Sequence, residues 1–168
     1  MANRVISASY LRNFIFGVED SLVSAVGMMS GIALAGIAGR QILLTGIVYI
    51  FVEAFSMAAG SYLSERSGEE YLKQGSVSPV SSIIAGVIMF VSYLVAGIIP
   101  IAPYALFDAS TAFTVSVVGS LAALLILGGV GARFARIPVL SRAIQMAVVG
   151  GVAILLGIAV GQLTGLAV

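Results

Sequence analysis

The stretch FIFGVEDSLVSAVGMMSG, residues 14–31, is apolar enough to cross a membrane, yet it carries two adjacent acids, Glu19 and Asp20. A charged side chain at the centre of a spanning helix raises the free energy of insertion by about 2.5–3.5 kcal/mol. Such a residue is presumed to be functional until a structural role is shown. The stretch therefore indicates both a membrane helix and a functional site within it.

The composition of the whole chain is typical of an integral membrane protein. Of its 168 residues, 60% are hydrophobic and 9% are charged, and the mean hydropathy is +1.16, whereas about a quarter of the residues in a soluble domain are charged. The chain has no cysteine, histidine or tryptophan, which excludes disulfides, Cys/His zinc sites and Ser-His-Asp catalysis. We therefore predict that the protein is not an enzyme, and that any metal is bound by carboxylates, carbonyls, hydroxyls or thioethers.

A spanning helix needs about 20 mostly apolar residues, and five runs of the sequence meet this requirement. The predicted fold is a single all-α membrane domain that covers residues 1–168. The polar segment 65–78 is predicted to be a short cytoplasmic loop, and Pro100 and Pro103 are predicted to break the third run. The predicted spans are residues 14–38, 41–63, 79–101, 110–132 and 143–167.

The positions of the basic residues predict which side of the membrane each loop faces. If the N-terminus is cytoplasmic, all eight Lys and Arg residues except Arg40 lie in cytoplasmic segments, as the positive-inside rule requires. Residues 1–13 resemble the start of a signal peptide, but the run that follows is long and holds two acids, so we predict a retained first helix. Asp108 is predicted to cap the fourth helix. The expected location is a prokaryotic cytoplasmic membrane.

Polar and small side chains follow one face of each of the first two helices. On a helical wheel, Asp20 shares a face with Met28, and Glu53 shares a face with Met57. Because the two helices form an antiparallel hairpin, Asp20 and Met57 are expected at similar depth, given a rise of about 1.5 Å per residue. Glycines at four-residue spacing predict close helix packing: Gly27 and Gly31, and Gly157, Gly161 and Gly165.

A carboxylate beside a thioether suits a first-row transition ion better than magnesium or calcium. Without imidazole or thiolate, the site is expected to release its ion readily. We predict Asp20, Glu53 and Met57 as the metal ligands. The structural alternatives stay open, because methionines on apolar helices usually serve packing and a buried glutamate can hydrogen-bond between helices. Three residues are candidates for an additional metal or proton site: Glu19, Met28 and Asn13.

Three motifs resemble those of the vacuolar iron transporter (VIT) family: RNFIFGVED at 12–20, EAFSMAAGSYLS at 53–64 and IPIAPY at 99–104. The resemblance extends over nearly the whole chain. It implies five spans, a cytoplasmic N-terminus and a homodimer whose pathway is lined by the first two helices. It also implies export of iron(II), often with manganese(II), from the cytosol in exchange for protons. By position, the functional residues of the family fall on Asp20, Glu53 and Met57.

The chain departs from the family pattern at particular positions. Asn13 and Ser61 stand where the pattern has acids, and Ser21 stands where it has glycine. Eukaryotic members also insert a glutamate-rich metal-binding domain between the second and third helices, for which segment 65–78 is too short. The resemblance is therefore to a short bacterial or archaeal type of member without that domain.

Two hypotheses of function follow. The first is proton-coupled export of Fe²⁺ or Mn²⁺ by a homodimer formed through helices 1 and 2, in which protons and metal compete for the same carboxylates. The alternative is a non-transporting membrane scaffold or accessory subunit of the same fold, favoured by the missing acids. Export of an organic cation is disfavoured because few aromatic residues lie near Glu19 and Asp20. Neither a permanently bound cofactor nor a nucleic-acid partner is expected.

Overall fold

Five long helices form the described part of the molecule, residues 2–75 and 78–165 of a computed structural model, with only the backbone described for residues 2–7. These ranges contain no strand. The shortest helices have 27 residues and are about 40 Å long, so all five exceed the ~30 Å hydrocarbon core of a bilayer. The predicted all-α class with five membrane-spanning helices is confirmed. The helices are α1 (Ala2–Leu34), α2 (Gly39–Lys73), α3 (Val80–Leu106), α4 (Ala109–Ala135) and α5 (Val139–Gly165).

Two turns on the same side of the bundle fix where helices end and begin. α1 ends at Leu34, four residues before the predicted end of the first span, and Gly36 in the following turn has a φ of +83°. Glycine adopts this left-handed conformation without the steric penalty of a Cβ. At the start of α4, the Asp108 carboxylate accepts a hydrogen bond from the backbone N–H of Thr111 at 3.1 Å. The predicted N-cap is thus confirmed.

The segment predicted as the loop 65–78 is instead helical as far as Lys73, which corrects the prediction. Arg66 and Glu70 form an ion pair one turn apart at 2.8 Å, and Glu69 and Lys73 form another at 3.7 Å. Pairs at this spacing each stabilise a helix by about 0.2–0.5 kcal/mol. α2 therefore continues past its apolar part into a polar segment, because polarity alone does not end a helix.

α3 continues through Pro100 and Pro103 to Leu106, so the prediction that the prolines break the third run is wrong. A proline removes one backbone N–H from the helix, but neighbouring helices in a membrane bundle can supply hydrogen bonds near such an interruption. Here the hydroxyl of Ser116 on α4 donates to the carbonyl of Pro100 at 2.8 Å. The carbonyl of Pro100 therefore joins α3 to α4, and neither proline ends α3.

α1 is the central helix of the bundle and packs against each of the other four. Its approach to α5 is closest, because a Cβ added at Gly27 would meet the carbonyl of Ala153, and one added at Gly31 would meet the carbonyl of Gly157. A Cβ added at Gly161 would in turn meet the backbone of Gly31. Small residues at four-residue spacing allow such backbone contact, so the predicted close packing is confirmed.

Two clusters of buried apolar side chains form the core. One surrounds Tyr93 and Met29 and joins α1, α2, α3 and the start of α4, and the other surrounds Leu22 and Leu124 and joins α1, α3, α4 and α5. The outer faces of the helices are also apolar, as lipid contact requires. α2 packs mainly against α3 and more sparsely against α1, which leaves room for a cavity between α1 and α2.

Candidate functional site

A polar cavity of about 820 Å³ opens between α1, α2 and α3, with the first turn of α5 at its rim. Acids and hydroxyls line it although it lies among helices that cross the membrane. Such groups are unfavourable against lipid and normally face a bundle interior or a water-filled space. The polar and sulfur-containing side chains of the lining are Arg12, Asn13, Glu19, Ser56, Met57, Ser61, Ser64, Glu65, Met89 and Arg142.

Glu19 and Met57 both line this cavity, whereas Asp20 is not part of its lining. The sequence analysis paired Asp20 with Met57 and gave Glu19 only as an additional candidate. The orientation of α1 explains the difference. Its Ser21 hydroxyl donates to the carbonyl of Tyr93 at 2.7 Å, and Gly17 packs directly against α3. These contacts turn the face that carries Glu19 toward the cavity.

Asp20 lies on the neighbouring face of α1, where it is half-buried. Its carboxylate is close enough to Glu53 of α2, and to Glu19, for their charges to interact. Ser24 donates to the backbone carbonyl of Asp20 at 2.5 Å, and its hydroxyl also lies 2.9 Å from that of Tyr93. Like charges repel strongly away from bulk water, so these carboxylates destabilise one another when they are all ionised.

The two candidate methionines occupy different environments. Met57 lines the cavity with Glu19 and also packs against the Tyr93 cluster. Met28 packs against the same cluster, and it lines a separate, largely apolar pocket between α1 and α5. The structure therefore brings Met57 to a cavity with acids and places Met28 where packing is its evident role.

Asn13 belongs to a hydrogen-bonded group at one end of the cavity, which we call the mouth cluster: Ser9, Arg12, Asn13, Ser61 and Glu65. Asn13 and Ser61 are buried, with 5% and 8% of their surfaces exposed. The Ser61 hydroxyl donates to Asn13 Oδ1 at 2.6 Å, and Asn13 Nδ2 donates to Glu65 Oε1 at 3.2 Å. Ser9 donates to the same carboxylate oxygen at 2.6 Å, and Arg12 forms an ion pair with it. The cluster thus joins α1 to α2.

Sequence reasoning missed Glu65 and did not connect Asn13 with Ser61. It treated residues 65–78 as a loop, so it did not consider that Glu65 continues the face of Ser61 one turn further along α2. The residue spacing could have indicated this cluster. Ser9 and Asn13 are four residues apart on α1, as are Ser61 and Glu65 on α2, so each pair shares a helix face. Asn13 and Ser61, the two positions at which the chain lacks the acids of the family pattern, are hydrogen-bonded to each other.

In residues 2–75 and 78–165, no three acidic side chains come close enough to hold one metal ion. The donors lie instead in two neighbouring sets, Glu19 with Met57 in the cavity and Asp20 with Glu53 beside it. Divalent ions of the first transition row normally take more ligands than two protein groups provide. Neither set alone would therefore complete the coordination shell of such an ion.

The fold and the cavity together are typical of an integral membrane protein that binds or transports cations. Five helices cross the membrane, and carboxylates line the cavity among them. The VIT family model matches residues 11–80 and 73–162, and the chain belongs to the VIT family. The family resemblance of the three motifs is thereby confirmed. Members of this family are transporters of metal ions, in agreement with the prediction that the chain is not an enzyme.

Two plant proteins are similar to this chain in sequence. The chain is 27% identical over 172 residues to vacuolar iron transporter homolog 4 of Arabidopsis thaliana, an alignment that covers 94% of this chain and 85% of the relative. It is 40% identical over 60 residues to vacuolar iron transporter homolog 4 of Oryza sativa subsp. japonica, covering 35% of this chain and 28% of the relative. The first alignment extends over nearly the whole five-helix domain.

Proposed function

We propose that this protein carries a divalent transition-metal ion, iron(II) or manganese(II), out of the cytosol in exchange for protons. Family membership supports metal-ion transport in general, and the names of the two plant relatives support iron. The observation that carries the proposal is the cavity itself. It has Glu19 and Met57 in its lining, with the charges of Asp20 and Glu53 interacting beside it.

Exchange with protons follows from the chemistry of these ligands. A carboxylate surrounded by protein and lipid favours a bound proton when no cation is near, and a bound cation displaces that proton. Metal and protons then compete for the same oxygens, and a proton gradient can drive the metal in the opposite direction. The thioether of Met57 adds preference for a transition ion over magnesium or calcium.

The proposal includes a cytoplasmic N-terminus and a homodimer paired through α1 and α2. α2 exposes three small residues at four-residue spacing, Ser56, Gly60 and Ser64, and a Cβ added at Gly60 would meet nothing within 4 Å. Stripes of this kind let membrane helices approach closely. Because Ser56, Gly60 and Ser64 also line the cavity, a second copy packed here would cover its open side and provide further ligands.

The test is uptake of Fe²⁺ and Mn²⁺ into proteoliposomes with an imposed pH gradient. We expect gradient-dependent uptake by the native chain and background uptake by Asp20→Asn. Met57→Leu should slow uptake by about tenfold, equivalent to about 1.4 kcal/mol of ion stabilisation. Met28→Leu is the matched control, because it also removes a thioether from the α1–α2 pair, but from a side chain that packs away from the acids. This variant should transport like the native chain.

A membrane scaffold or accessory subunit remains the second candidate. The neutral Asn13–Ser61 pair at the mouth of the cavity and the lack of a three-acid group within the described ranges favour it. Well-folded native protein that takes up neither ion would support the scaffold and contradict the transporter. Equal uptake by the native chain and Asp20→Asn would contradict the assigned site.

A further inference from the structure

We propose that Glu65 is the outermost cation-binding residue of the cavity and that Arg12 is a tethered counter-ion, which a divalent cation must displace to reach it. This inference rests on the proposed function for the identity of the cation. It adds a site that neither the family motifs nor the sequence analysis assigns. It is argued below from the position of Glu65, its hydrogen bonds and the charges around it.

Glu65 lies where two cavities meet. It lines the 820 Å³ cavity that contains Glu19 and Met57, and it also lines an outer cavity of about 330 Å³ bordered by Ser9 and Ser81. Among the residues that the structure describes, only Arg12 and Ser64 are also shared by the linings of these two cavities. A cation that passes from the outer cavity to the inner one therefore passes the Glu65 carboxylate.

The two members of the Glu65–Arg12 ion pair differ in how firmly they are held. The Glu65 side chain is 17% exposed and receives hydrogen bonds from Ser9 and Asn13, whereas the Arg12 side chain is 69% exposed. An exposed arginine is readily solvated and gains little from such a pair. The carboxylate thus stays in place while its counter-ion is free to move into water.

The Glu65 carboxylate and the Ser9 hydroxyl, 2.6 Å apart, provide oxygen donors once Arg12 has moved. Asn13 turns its amide nitrogen toward the carboxylate and its amide oxygen toward Ser61, so rotation of this amide would add a further oxygen. Oxygen donors of this type suit a partly hydrated divalent ion. Because the network has a single acid, it binds weakly and can pass the ion inward to Glu19.

Other arginines near the cavity do not occupy this position. Arg142 lines the inner cavity but donates to Gln145 at 2.9 Å. Arg66, adjacent to Glu65 in sequence, donates to Glu70 at 2.8 Å and is not part of either lining. Arg12 is therefore the arginine placed to compete with a cation at Glu65, and Arg66 provides a control with the same change of charge.

The experiment measures equilibrium binding of Mn²⁺ to the full-length protein in detergent, from the electron paramagnetic resonance signal of the free ion. All variants carry Glu19→Gln and Asp20→Asn, which remove the two inner acids of α1. We expect this background to retain one weak site and Arg12→Gln to tighten it by about two- to fivefold, the range for removal of one exposed ion pair. Arg66→Gln should leave the affinity unchanged, and Glu65→Gln should abolish the site.

Equal tightening by Arg12→Gln and Arg66→Gln would overturn the proposal, because it would show a general effect of net charge. Full binding in Glu65→Gln, or no binding in the background, would also overturn it. If Glu65→Gln fails to fold, Glu65→Asp serves instead, since it keeps the charge but shortens the reach and should weaken the site. The readout does not involve transport, so a failure here is distinguishable from a failure of the uptake experiment.

Discussion

The two sides of α1 are built in opposite ways. Toward α5, glycines bring the backbones of Gly27 and Gly31 against those of Gly157 and Gly161. Toward α2, the same helix faces a cavity and is joined at one end by the polar mouth cluster. One side leaves no space for a methyl group, and the other leaves space for hydrated ions.

This difference indicates which parts of the bundle can move. Any displacement of two helices in close backbone contact loses much of their packing energy, because packed interiors do not deform continuously. Hydrogen bonds to an exposed arginine can exchange with water at little cost. We therefore infer that α1 and α5 move as one unit and that any opening of the cavity separates α1 from α2.

The largest expected effect comes from adding a methyl group to the α1–α5 contact. A Cβ at Gly157 would meet the carbonyl of Gly27, so Gly157→Ala must push two helix backbones apart. We expect the free energy of unfolding to fall by about 1–3 kcal/mol, the usual range for overpacking. Unfolding by sodium dodecyl sulfate titration in mixed micelles, followed by circular dichroism, measures this change.

The matched control adds the same methyl group on the other side of the comparison. A Cβ at Gly60 meets nothing within 4 Å, and alanine is the better helix former by about 1 kcal/mol. Gly60→Ala should therefore leave the stability of a single copy of the chain unchanged or raise it slightly, apart from any effect on the pairing of two copies. Equal destabilisation by Gly60→Ala and Gly157→Ala would show that the contrast between the two sides of α1 is wrong.

A smaller effect is expected from breaking the mouth cluster. Asn13→Ala leaves the buried Ser61 hydroxyl without its acceptor and removes one donor from Glu65. We expect a loss of about 1 kcal/mol in the free energy of unfolding, the typical net value of a hydrogen bond, because the cavity next to it lets water replace part of the network. The same detergent titration measures it.

Asn13→Asp sharpens this prediction. It restores an acceptor for Ser61 but places a second carboxylate next to Glu65. The Asn13 amide nitrogen lies 3.2 Å from the Glu65 carboxylate oxygen, and the new carboxylate oxygen would lie at a similar distance. The two negative charges repel each other, so we expect destabilisation that Mn²⁺ reverses. Mn²⁺ should stabilise Asn13→Ala less than Asn13→Asp, because Asn13→Ala adds no second carboxylate beside Glu65, and an equal response of both variants would contradict this account of the mouth cluster.

Residue patterns predicted the five helices well because hydropathy and length decide whether a helix can span a membrane. The close α1–α5 contact was also predictable, since the glycine spacing in both helices is visible in the sequence. The helical wheel put Asp20 on the polar face of α1, whereas in the structure Glu19 lines the cavity and Asp20 does not. Rotation of α1 depends on tertiary contacts such as the Ser21–Tyr93 hydrogen bond. The mouth cluster was missed because its hydrogen bonds between α1 and α2 join residues 48 to 56 positions apart.

The smallest effect is expected at Asp108, in the turn before α4 and outside the comparison of the two sides of α1. The backbone N–H of Thr111 donates to its carboxylate, and this hydrogen bond holds the pKa of Asp108 below its usual value. Because the pKa is lower in the folded state, the charged cap stabilises the fold at pH values above the ordinary pKa of aspartate. This stabilisation is lost as the pH falls through the lowered pKa. Asp108→Ala should therefore lower the thermal midpoint slightly near neutral pH, with the difference shrinking as the pH falls below the ordinary pKa of aspartate, about 3.9. Asp108→Ser keeps a capping oxygen without a charge, so its thermal midpoint relative to Asp108→Ala should not depend on pH. A constant difference between the native chain and Asp108→Ala across this range would show that the charge of the cap has no part in its effect.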